Sequence, residues 1–252
     1  MNASIQAAGA GLRLEVTGVS ASYGAARVID NVSFATHGGQ LVGIVGPNGV
    51  GKSTLVKVML GLVPMARGQV ALDGAPLTRQ PRRVAYVPQR AEIDWDYPTT
   101  AAELVAMGAT PRHGLGWLTK PASRAADALE RVGLRAQAEV PISELSGGQR
   151  QRALLARALQ RQADVIVLDE PFAAVDMSSE SVIWRELARL RDSGKLVLVV
   201  HHDLITVREH FDACLLLAPG SAVFGPAAAV LAPGSVERAY GAGRAGRAGR
   251  AA

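Results

Sequence analysis

Short apolar runs and longer amphipathic segments alternate along most of the chain. Three runs rich in Val, Ile and Leu, at residues 40–45, 164–170 and 196–200, predict strands that are buried on both faces, as in a parallel sheet. Apolar residues recur at helical spacing in 121–132 and 178–192, which predicts amphipathic helices. This alternation of buried strands and helices is typical of the α/β class.

The beginning of the chain has a different pattern. Apolar and polar residues alternate in 12–19, and 28–36 predicts a returning strand, which together indicate an antiparallel β layer beside the main sheet. Residues 90–160 favour a helical insert, in which Thr99 or Thr100 can cap a helix.

These segments predict a single domain over residues 12–235. Its central sheet and β layer form one unit, and the helical insert forms a subdomain that interrupts this unit in sequence. The expected bounds are 12–89 and 161–235 for the sheet core, 90–160 for the helical subdomain, and 1–11 and 240–252 for two disordered tails.

An uncharged apolar stretch at residues 213–236 is long enough to cross a bilayer. Pro219, Pro226 and Pro233 interrupt it, and a membrane-spanning helix does not tolerate three such breaks. The stretch therefore predicts a strand, a turn, a second strand and a short helix. We accordingly expect no transmembrane segment.

Composition limits the possible partners. The chain has 252 residues, 48% of them hydrophobic, which is enough for the core of one large domain. The C-terminal tail supplies three of the five net positive charges through Arg244, Arg247 and Arg250, so we expect no nucleic-acid partner for the folded part. The tail is either a solubilising segment or a contact for anionic lipid or nucleic acid. Cys214 is the only cysteine, which excludes an internal disulfide and fits a reducing cytosol.

The loop after the first buried strand fits the phosphate-binding pattern G-x-x-x-x-G-K-[ST]. Its glycines allow backbone turns that other residues resist, so that N–H groups can close around a polyphosphate at a helix N-terminus. Lys52 can reach the outer phosphates, and the hydroxyl of Ser53 can ligate Mg²⁺. The alternative is a chance glycine-rich turn. This phosphate loop consists of Gly46, Pro47, Asn48, Gly49, Val50, Gly51, Lys52, Ser53 and Thr54.

Ionisable residues follow two of the predicted buried strands, at the edge where open α/β sheets bind ligands. Asp169 can hold Mg²⁺, and Glu170 is placed to act as a general base towards an attacking water. The alternative is that both are exposed loop acids. His201 and His202 end the next strand, where adjacent side chains point to opposite faces, which argues against a zinc site. A histidine there can instead donate a hydrogen bond to a phosphate oxygen or to the attacking water.

A polar segment at residues 145–149 leads into a helix that we expect to begin at Gln149. Ser146 is a suitable N-cap, and Gly147 and Gly148 leave backbone N–H groups uncovered. Uncovered N–H groups at a helix start favour the close approach of an anion. The alternative is an ordinary loop-to-helix turn.

In this order the motifs resemble those of the ATP-binding subunit of an ABC transporter, over residues 12–231. The most specific part is the signature motif, Leu-Ser-Gly-Gly-Gln at residues 145–149, followed by an apolar run and Asp-Glu. The resemblance implies a P-loop NTPase with a RecA-like core, ATP and Mg²⁺ as cofactors, and ATP hydrolysis. Tyr23, which alone would favour an ordinary packing tyrosine, matches the aromatic residue that stacks on adenine.

The resemblance also implies a role for each residue around the phosphates. Gln89 matches a glutamine that touches Mg²⁺ or the attacking water and senses the membrane subunit. Asp176 matches an aspartate at the subunit contact, and His201 becomes a bystander. The expected Mg²⁺ ligands are Ser53, Gln89 and Asp169, and the expected catalytic residues are Lys52, Gln89, Glu170 and His202.

Partners follow from the same resemblance. Two copies would sandwich two ATP molecules, each nucleotide covered by the other copy's Ser146, Gly147, Gly148 and Gln149. A permease in the membrane would dock near residues 89–108, an extracytoplasmic solute-binding protein would complete the system, and this chain would lie at the cytoplasmic face of the membrane. The segment Asp94-Trp95-Asp96-Tyr97-Pro98 is similar to one in the zinc/manganese importer branch, where Trp95 and Tyr97 would be anchors.

One departure from the family pattern is visible. The usual Ser-Ala-Leu-Asp is replaced by Ala-Ala-Val-Asp at residues 173–176, so a serine hydroxyl at the subunit contact is lost while Asp176 is kept. The transported substrate is not fixed by these motifs. Other importer or exporter classes, or an ATP-regulated module of a soluble assembly, remain as alternatives.

Overall fold

The computed structural model describes residues 11–24, 26–109, 121–173, 175–232 and 234–237. The description excludes the side chains of Tyr23, Ala26, Arg90 and residues 121–123. Apart from Gly11, both tails that we expected to be disordered lie outside the described residues.

Ten strands and seven α-helices are labelled within the described part of the chain. The strands are β1 (Arg13–Tyr23), β2 (Ala26–His37), β3 (Gln40–Val45), β4 (Arg67–Leu72), β5 (Ala75–Pro76), β6 (Val84–Val87), β7 (Val165–Asp169), β8 (Leu196–Val200), β9 (Ala213–Ala218) and β10 (Ser221–Pro226). The helices are α1 (Lys52–Met59), α2 (Ala101–Ala106), α3 (Pro121–Arg131), α4 (Gly147–Gln160), α5 (Met177–Asp192), α6 (Leu204–His210) and α7 (Ala227–Val230).

Six strands form the central sheet in the order β10-β9-β3-β8-β7-β6. Neighbouring strands are parallel except for β10, which pairs with β9 in the antiparallel sense. The three predicted buried strands are β3, β7 and β8. Because parallel strands end at the same edge of a sheet, the segments that follow these three strands are brought together there.

Strand β8 shows why the sheet is covered on both faces. Leu196, Leu198 and Val200 pack into the apolar cluster that includes α1 and the antiparallel sheet. Val197 and Val199 point the other way, into the cluster formed with the remaining helices. All five side chains are fully buried, which confirms the prediction from their uninterrupted apolar run.

The predicted antiparallel layer is a four-stranded sheet in the order β2-β1-β4-β5. Its first strand buries Leu14 and Val16 and exposes Arg13 and Thr17, as the alternating pattern predicts. The strand continues to Tyr23 rather than ending near residue 19, since β2 stays paired with it through three register shifts.

Helices α2, α3 and α4 lie between β6 and β7 in the sequence. Thr100 caps α2 in a capping box with Glu103, which confirms the second of the two expected caps. Ser146 caps α4, so this helix begins at Gly147, two residues before the predicted start. The prediction was late because it left both glycines in the loop.

The apolar stretch near the C-terminus forms β9, β10 and α7, which confirms the predicted strand, turn, strand and short helix. Ala218 and Ser221 pair across the turn. Among the helices that the structure describes, none combines the length and the hydrophobicity that crossing a bilayer requires.

Candidate active site

The phosphate loop connects β3 to α1, and its glycines hold conformations that a side chain would disturb. Gly46, Gly49 and Gly51 have φ angles of 153°, 75° and 105°. A Cβ on Gly46 would collide with the carbonyl oxygen of Leu217, and one on Gly51 would come within 2.7 Å of the Ile29 side chain. Helix α1 begins without a side-chain cap, which leaves the N–H groups of its first turn available to an anion.

Lys52 is buried at the start of α1, with 6% of its surface exposed. Its Nζ donates hydrogen bonds to the carbonyl oxygens of Gly46 at 3.0 Å and Pro47 at 3.1 Å. Burial lowers the pKa of Lys52, against the raising effect of the Glu170 and Asp169 carboxylates. The ammonium therefore lies between the loop backbone and the two acids, where it can reach a bound phosphate.

Asp169 ends β7 and is fully buried. The hydroxyl of Ser53 donates to its Oδ1 at 3.0 Å, while Oδ2 has no hydrogen-bond partner among the described residues. Burial raises the pKa of Asp169, and this outweighs the opposing hydrogen bond from Ser53. A buried carboxylate oxygen without a partner beside a hydroxyl fits the oxygen donor set of Mg²⁺, so these two residues are suited to hold that ion.

Glu170 and Gln89 meet beside this pair. The Nε2 of Gln89 donates to Glu170 Oε2 at 2.9 Å. Glu170 has a φ of 51°, an unusual value for a non-glycine residue, and its backbone N–H donates to the carbonyl of Val200 at 3.2 Å. The geometry thus brings the residues after β6 and β7 into direct contact.

His202 follows β8 at the same edge and is exposed, whereas His201 is buried. Their rings stack at 5.4 Å between centroids with an angle of 17° between planes. One ring is therefore buried and the other exposed, but the two lie beside each other and do not point to opposite faces as predicted for adjacent strand residues, because β8 ends at Val200 and both histidines lie in the turn that follows it.

The signature motif lies at the start of α4. The Ser146 hydroxyl accepts from the Gln149 N–H, and the Gln149 side chain accepts from the Ser146 N–H at 2.8 Å. A Cβ on Gly148 would collide with the side chains of Asp176 and Ser179. Close packing against α5 in the same chain is thus one reason for this glycine, beside the expected approach of an anion. In the part of the chain that is described, no hydrogen bond or ion pair links residues 146–149 to the phosphate loop.

Two sequence predictions fall on residues that are not fully described. Tyr23 is the last residue of β1, but its side chain lies outside the described part, so its stacking on adenine stays a prediction. Ala174 is also outside it, although Ala173 and Asp176 on either side are described.

Comparison with known proteins decides the family. The family model described as "ABC transporter" matches residues 29–173, from β2 to just past Asp169 and Glu170. The chain belongs to the ABC transporter family.

Two curated relatives agree with this assignment. The chain is 44% identical over 232 residues to the manganese transport system ATP-binding protein MntB of Listeria innocua, covering 90% of this chain and 96% of that one. It is also 44% identical over 232 residues to the zinc transport system ATP-binding protein TroB of Treponema pallidum, covering 90% and 86%. A solved nucleotide-free ATP-binding cassette from an ABC transporter superimposes with a TM-score of 0.78 at 24% identity, covering 91% and 98%, and has the same fold.

As an ABC transporter ATPase, the chain binds nucleotide and hydrolyses ATP. The predicted P-loop fold class is confirmed with the family. The individual site residues remain predictions, although the structure places Lys52, Ser53, Gln89, Asp169 and Glu170 in one connected group.

The structure adds residues to this group that the sequence did not indicate. Tyr86 lies three residues before Gln89, and burial, followed by the Asp169 carboxylate, raises the pKa of its hydroxyl. Lys57 on α1 forms an ion pair with Glu92 at 2.6 Å, which ties the phosphate-loop helix to the segment after Gln89. Each of these interactions involves residues from different elements, so no pattern within one element reveals it.

Trp95 and Tyr97, both expected as anchors for a permease, differ in their exposure in the structure. Trp95 is half-buried, with the Arg150 guanidinium 4.9 Å from its ring centroid, and Arg150 also donates to the Ser143 carbonyl at 2.6 Å. Tyr97 is 55% exposed. Trp95 therefore packs inwards against the beginning of α4, and Tyr97 remains accessible to a partner.

Proposed function

We propose that this chain is the ATP-hydrolysing subunit that energises an importer of a divalent metal ion, of the manganese or zinc type. The relatives named as manganese and zinc transport ATP-binding proteins support this substrate class. The observation that carries the mechanism is the contact of Ser53 with Asp169, whose second carboxylate oxygen is buried without a described partner.

In this mechanism the phosphate loop holds ATP through its backbone N–H groups and Lys52. Ser53, Asp169 and Gln89 would hold Mg²⁺, which supplies positive charge against the β- and γ-phosphate oxygens. Glu170 accepts the proton of the water that attacks the γ-phosphorus, and ADP leaves as the bond to the β-phosphate oxygen breaks. The hydrogen bond from Gln89 orients Glu170, and His202 donates a hydrogen bond to the γ-phosphate or the water.

We propose a second copy of the chain as a partner in catalysis. Ser146 is exposed at the start of α4, where its hydroxyl hydrogen and the helix N–H groups can face an anion. Because these groups do not contact the phosphate loop of their own chain, a nucleotide between two copies can join one copy's loop to the other's signature motif. Tyr23 would stack on the adenine of the same nucleotide.

A permease subunit would dock at the face that carries Tyr97. A groove that could take part in this contact is lined by Leu62, Tyr86 and Met107, among others, and Leu62 and Met107 are each 60% exposed. Exposed apolar side chains of this size indicate a surface for a protein partner. In this arrangement the chain lies at the cytoplasmic face of the membrane and a solute-binding protein delivers the ion from the other side.

The replacement Glu170→Gln tests the catalytic part. It keeps the shape of the side chain and removes its basicity, so ATP should still bind while kcat falls by about 10²- to 10⁴-fold. The variant should also accumulate as an ATP-dependent dimer by light scattering. A variant that hydrolyses ATP at the wild-type rate would overturn the assignment of Glu170 as base.

A matched replacement, Lys52→Ala, tests the phosphate loop. It should weaken ATP binding, measured by titration calorimetry, because a charge that reaches the phosphates is lost. Unchanged affinity would contradict the role of the loop.

The substrate class is tested by uptake. Cells that lack the chain should lose accumulation of radioactive Mn²⁺ or Zn²⁺, and the wild-type gene but not the Glu170→Gln variant should restore it. Normal uptake of both ions with loss of another solute would overturn the substrate class and leave the ATPase intact.

A further inference from the structure

His201 lies beside the proposed site and has no role in the mechanism above. Its side chain is 5% exposed, at the end of β8. The backbone N–H of Asp203 donates to its Nδ1 at 3.0 Å. Nδ1 therefore carries no proton, and a neutral ring has its proton on Nε2. The bond also closes the turn that carries His202 between β8 and α6.

Three aromatic side chains from different elements surround the His201 ring. Phe172, two residues after Glu170, lies 5.4 Å from it, Trp184 on α5 lies at 6.5 Å, and Phe211 after α6 lies at 6.2 Å, measured between centroids. Phe172 and Trp184 in turn stack on each other at 4.4 Å. The orientation of the His201 ring is thus fixed by packing from several sides.

His202 has the opposite environment. It is exposed, and among the aromatic rings that the structure describes, only that of His201 contacts it, at 5.4 Å and 17°. Burial, followed by the neighbouring His202, lowers the pKa of His201, against the raising effects of Asp203 and Glu180. A neutral inner ring can stack on His202 without placing a second positive charge beside it.

We propose that His201 is a positioning residue for His202. Its ring, held by Phe172, Trp184 and Phe211, sets the plane of the His202 imidazole, and its Nδ1 fixes the turn on which His202 is carried. This inference rests on the proposed function, in which His202 contacts the γ-phosphate or the water. It assigns a function to the histidine that family resemblance leaves as a bystander.

Two replacements separate the ring from its acceptor atom. His201→Asn keeps an acceptor oxygen near the position of Nδ1 and removes the ring, whereas His201→Phe keeps the ring and removes the acceptor. We expect His201→Asn to lower kcat by about tenfold or more, with KM for ATP changed less than twofold, since misplacement of a catalytic group acts on the chemical step. His201→Phe should retain more activity than His201→Asn if the stack is the main contact.

Phe34→Leu serves as the packing control, because Phe34 is a buried phenylalanine of the apolar cluster on the other face of the central sheet, where its ring packs against Phe224. This variant should lower the unfolding temperature with little change in kcat. If His201→Asn and Phe34→Leu lose activity only in proportion to their stability, His201 acts by packing alone and the inference is wrong. Should His201→Asn fail to fold, His201→Leu also removes the ring and is expected to show the same loss of kcat.

A double replacement identifies the route of the effect. In a His202→Ala background, His201→Asn should cause no further loss of kcat, because the residue that it positions is already absent. If instead the fold-losses of kcat from the two single replacements multiply in the double variant, His201 acts on catalysis independently of His202 and the inference is wrong. If His202→Ala alone leaves kcat unchanged, the role of His202 in the proposed function is wrong; if it lowers kcat while His201→Asn does not, only the present inference is overturned.

Discussion

Strand β7 is preceded by Asp164 and ends in Asp169 at the opposite edge of the sheet. At the first position, Asp164 accepts from Arg83 Nε at 2.7 Å and from Lys195 Nζ at 3.0 Å. At the second, Asp169 accepts from the neutral Ser53 hydroxyl, and its other oxygen has no described partner. The same residue type therefore accepts hydrogen bonds from two cations at one end of the strand and from a neutral hydroxyl at the other.

The pKa values follow this difference. Burial raises the pKa of Asp164, but the hydrogen bonds from Arg83 and Lys195 outweigh burial and hold it below its usual range. Burial raises the pKa of Asp169, and there the hydrogen bond from Ser53 is insufficient to reverse it. Asp164 stabilises the fold by itself, whereas Asp169 is a charge that the fold leaves for a ligand to neutralise.

The strongest test of this contrast is to remove each charge and measure activity. Asp169→Asn should lower kcat by about 10²- to 10³-fold, because the charge that faces Mg²⁺ is lost. Asp164→Asn, the matched change at the other end, should leave kcat within a factor of about two, since it lies far from the phosphates. Equal losses in steady-state ATPase assays would show that the two ends do not differ in function.

The second test measures ligand stabilisation. At a concentration one hundred times its dissociation constant, MgATP should stabilise the wild type by about 2.7 kcal/mol. EDTA removes Mg²⁺, so the part of this stabilisation that it abolishes is the Mg²⁺-dependent part. In thermal unfolding experiments, this part should be absent in Asp169→Asn and fully kept in Asp164→Asn. A Mg²⁺-dependent gain that survives in Asp169→Asn would contradict the assignment of Asp169 as a ligand.

Without nucleotide, Asp164→Asn should destabilise the protein more than Asp169→Asn does, which is the reverse of their effects on activity. Asp164→Asn should lower the free energy of unfolding by about 1 kcal/mol, because two partly exposed ion pairs are lost and exposed pairs contribute little each. Asp169→Asn should be as stable as the wild type or more so, since a buried unpaired charge is replaced by an amide. Urea unfolding measures both, and a large loss in Asp169→Asn would contradict the comparison.

The smallest effect is the dependence on pH. Asp169 has a pKa that is higher in the folded than in the unfolded chain, so its charge lowers the free energy of unfolding at neutral pH. This destabilisation fades as the pH falls through the folded-state pKa, and it is gone once the pH is below the unfolded value of about 3.9. Asp164 has a lowered pKa, so its charge raises the free energy of unfolding at neutral pH. This stabilisation persists down to about pH 4 and is lost below that pH. As unfolding is repeated from pH 8 to pH 3.5, the stability difference of Asp169→Asn from the wild type should vanish before that of Asp164→Asn. The opposite order would contradict the pKa directions given above.

Many of the strands and helix caps were predictable from the sequence, because they depend on the local pattern of residues. The uninterrupted apolar run of β8 predicted its bounds, and the caps at Thr100 and Ser146 follow from residue type and position. The acids after β7 were expected at the ligand edge, since that follows from strand direction alone.

Contacts between distant elements could not be predicted in this way. The inward packing of Trp95 depends on where Arg150 lies across the helical segment, and the position of Tyr86 near Asp169 depends on which strands are neighbours. His201 was set aside because family resemblance assigns a role to the next residue, and its stack on His202 depends on the packing of three other rings. The sequence pattern of one element does not show which side chains of other elements will contact it.

The collision that any Cβ on Gly148 would make with Asp176 and Ser179 has a consequence for comparing sequences. Even alanine at this position would force the side chains of Asp176 and Ser179, or the start of α4 itself, to move before any nucleotide arrives. A relative that had lost ATP hydrolysis altogether would still need glycine there to fold in this way. Glycine at 148 is therefore a poor marker of an active enzyme, and Asp169, which contributes little to folding, is a better one.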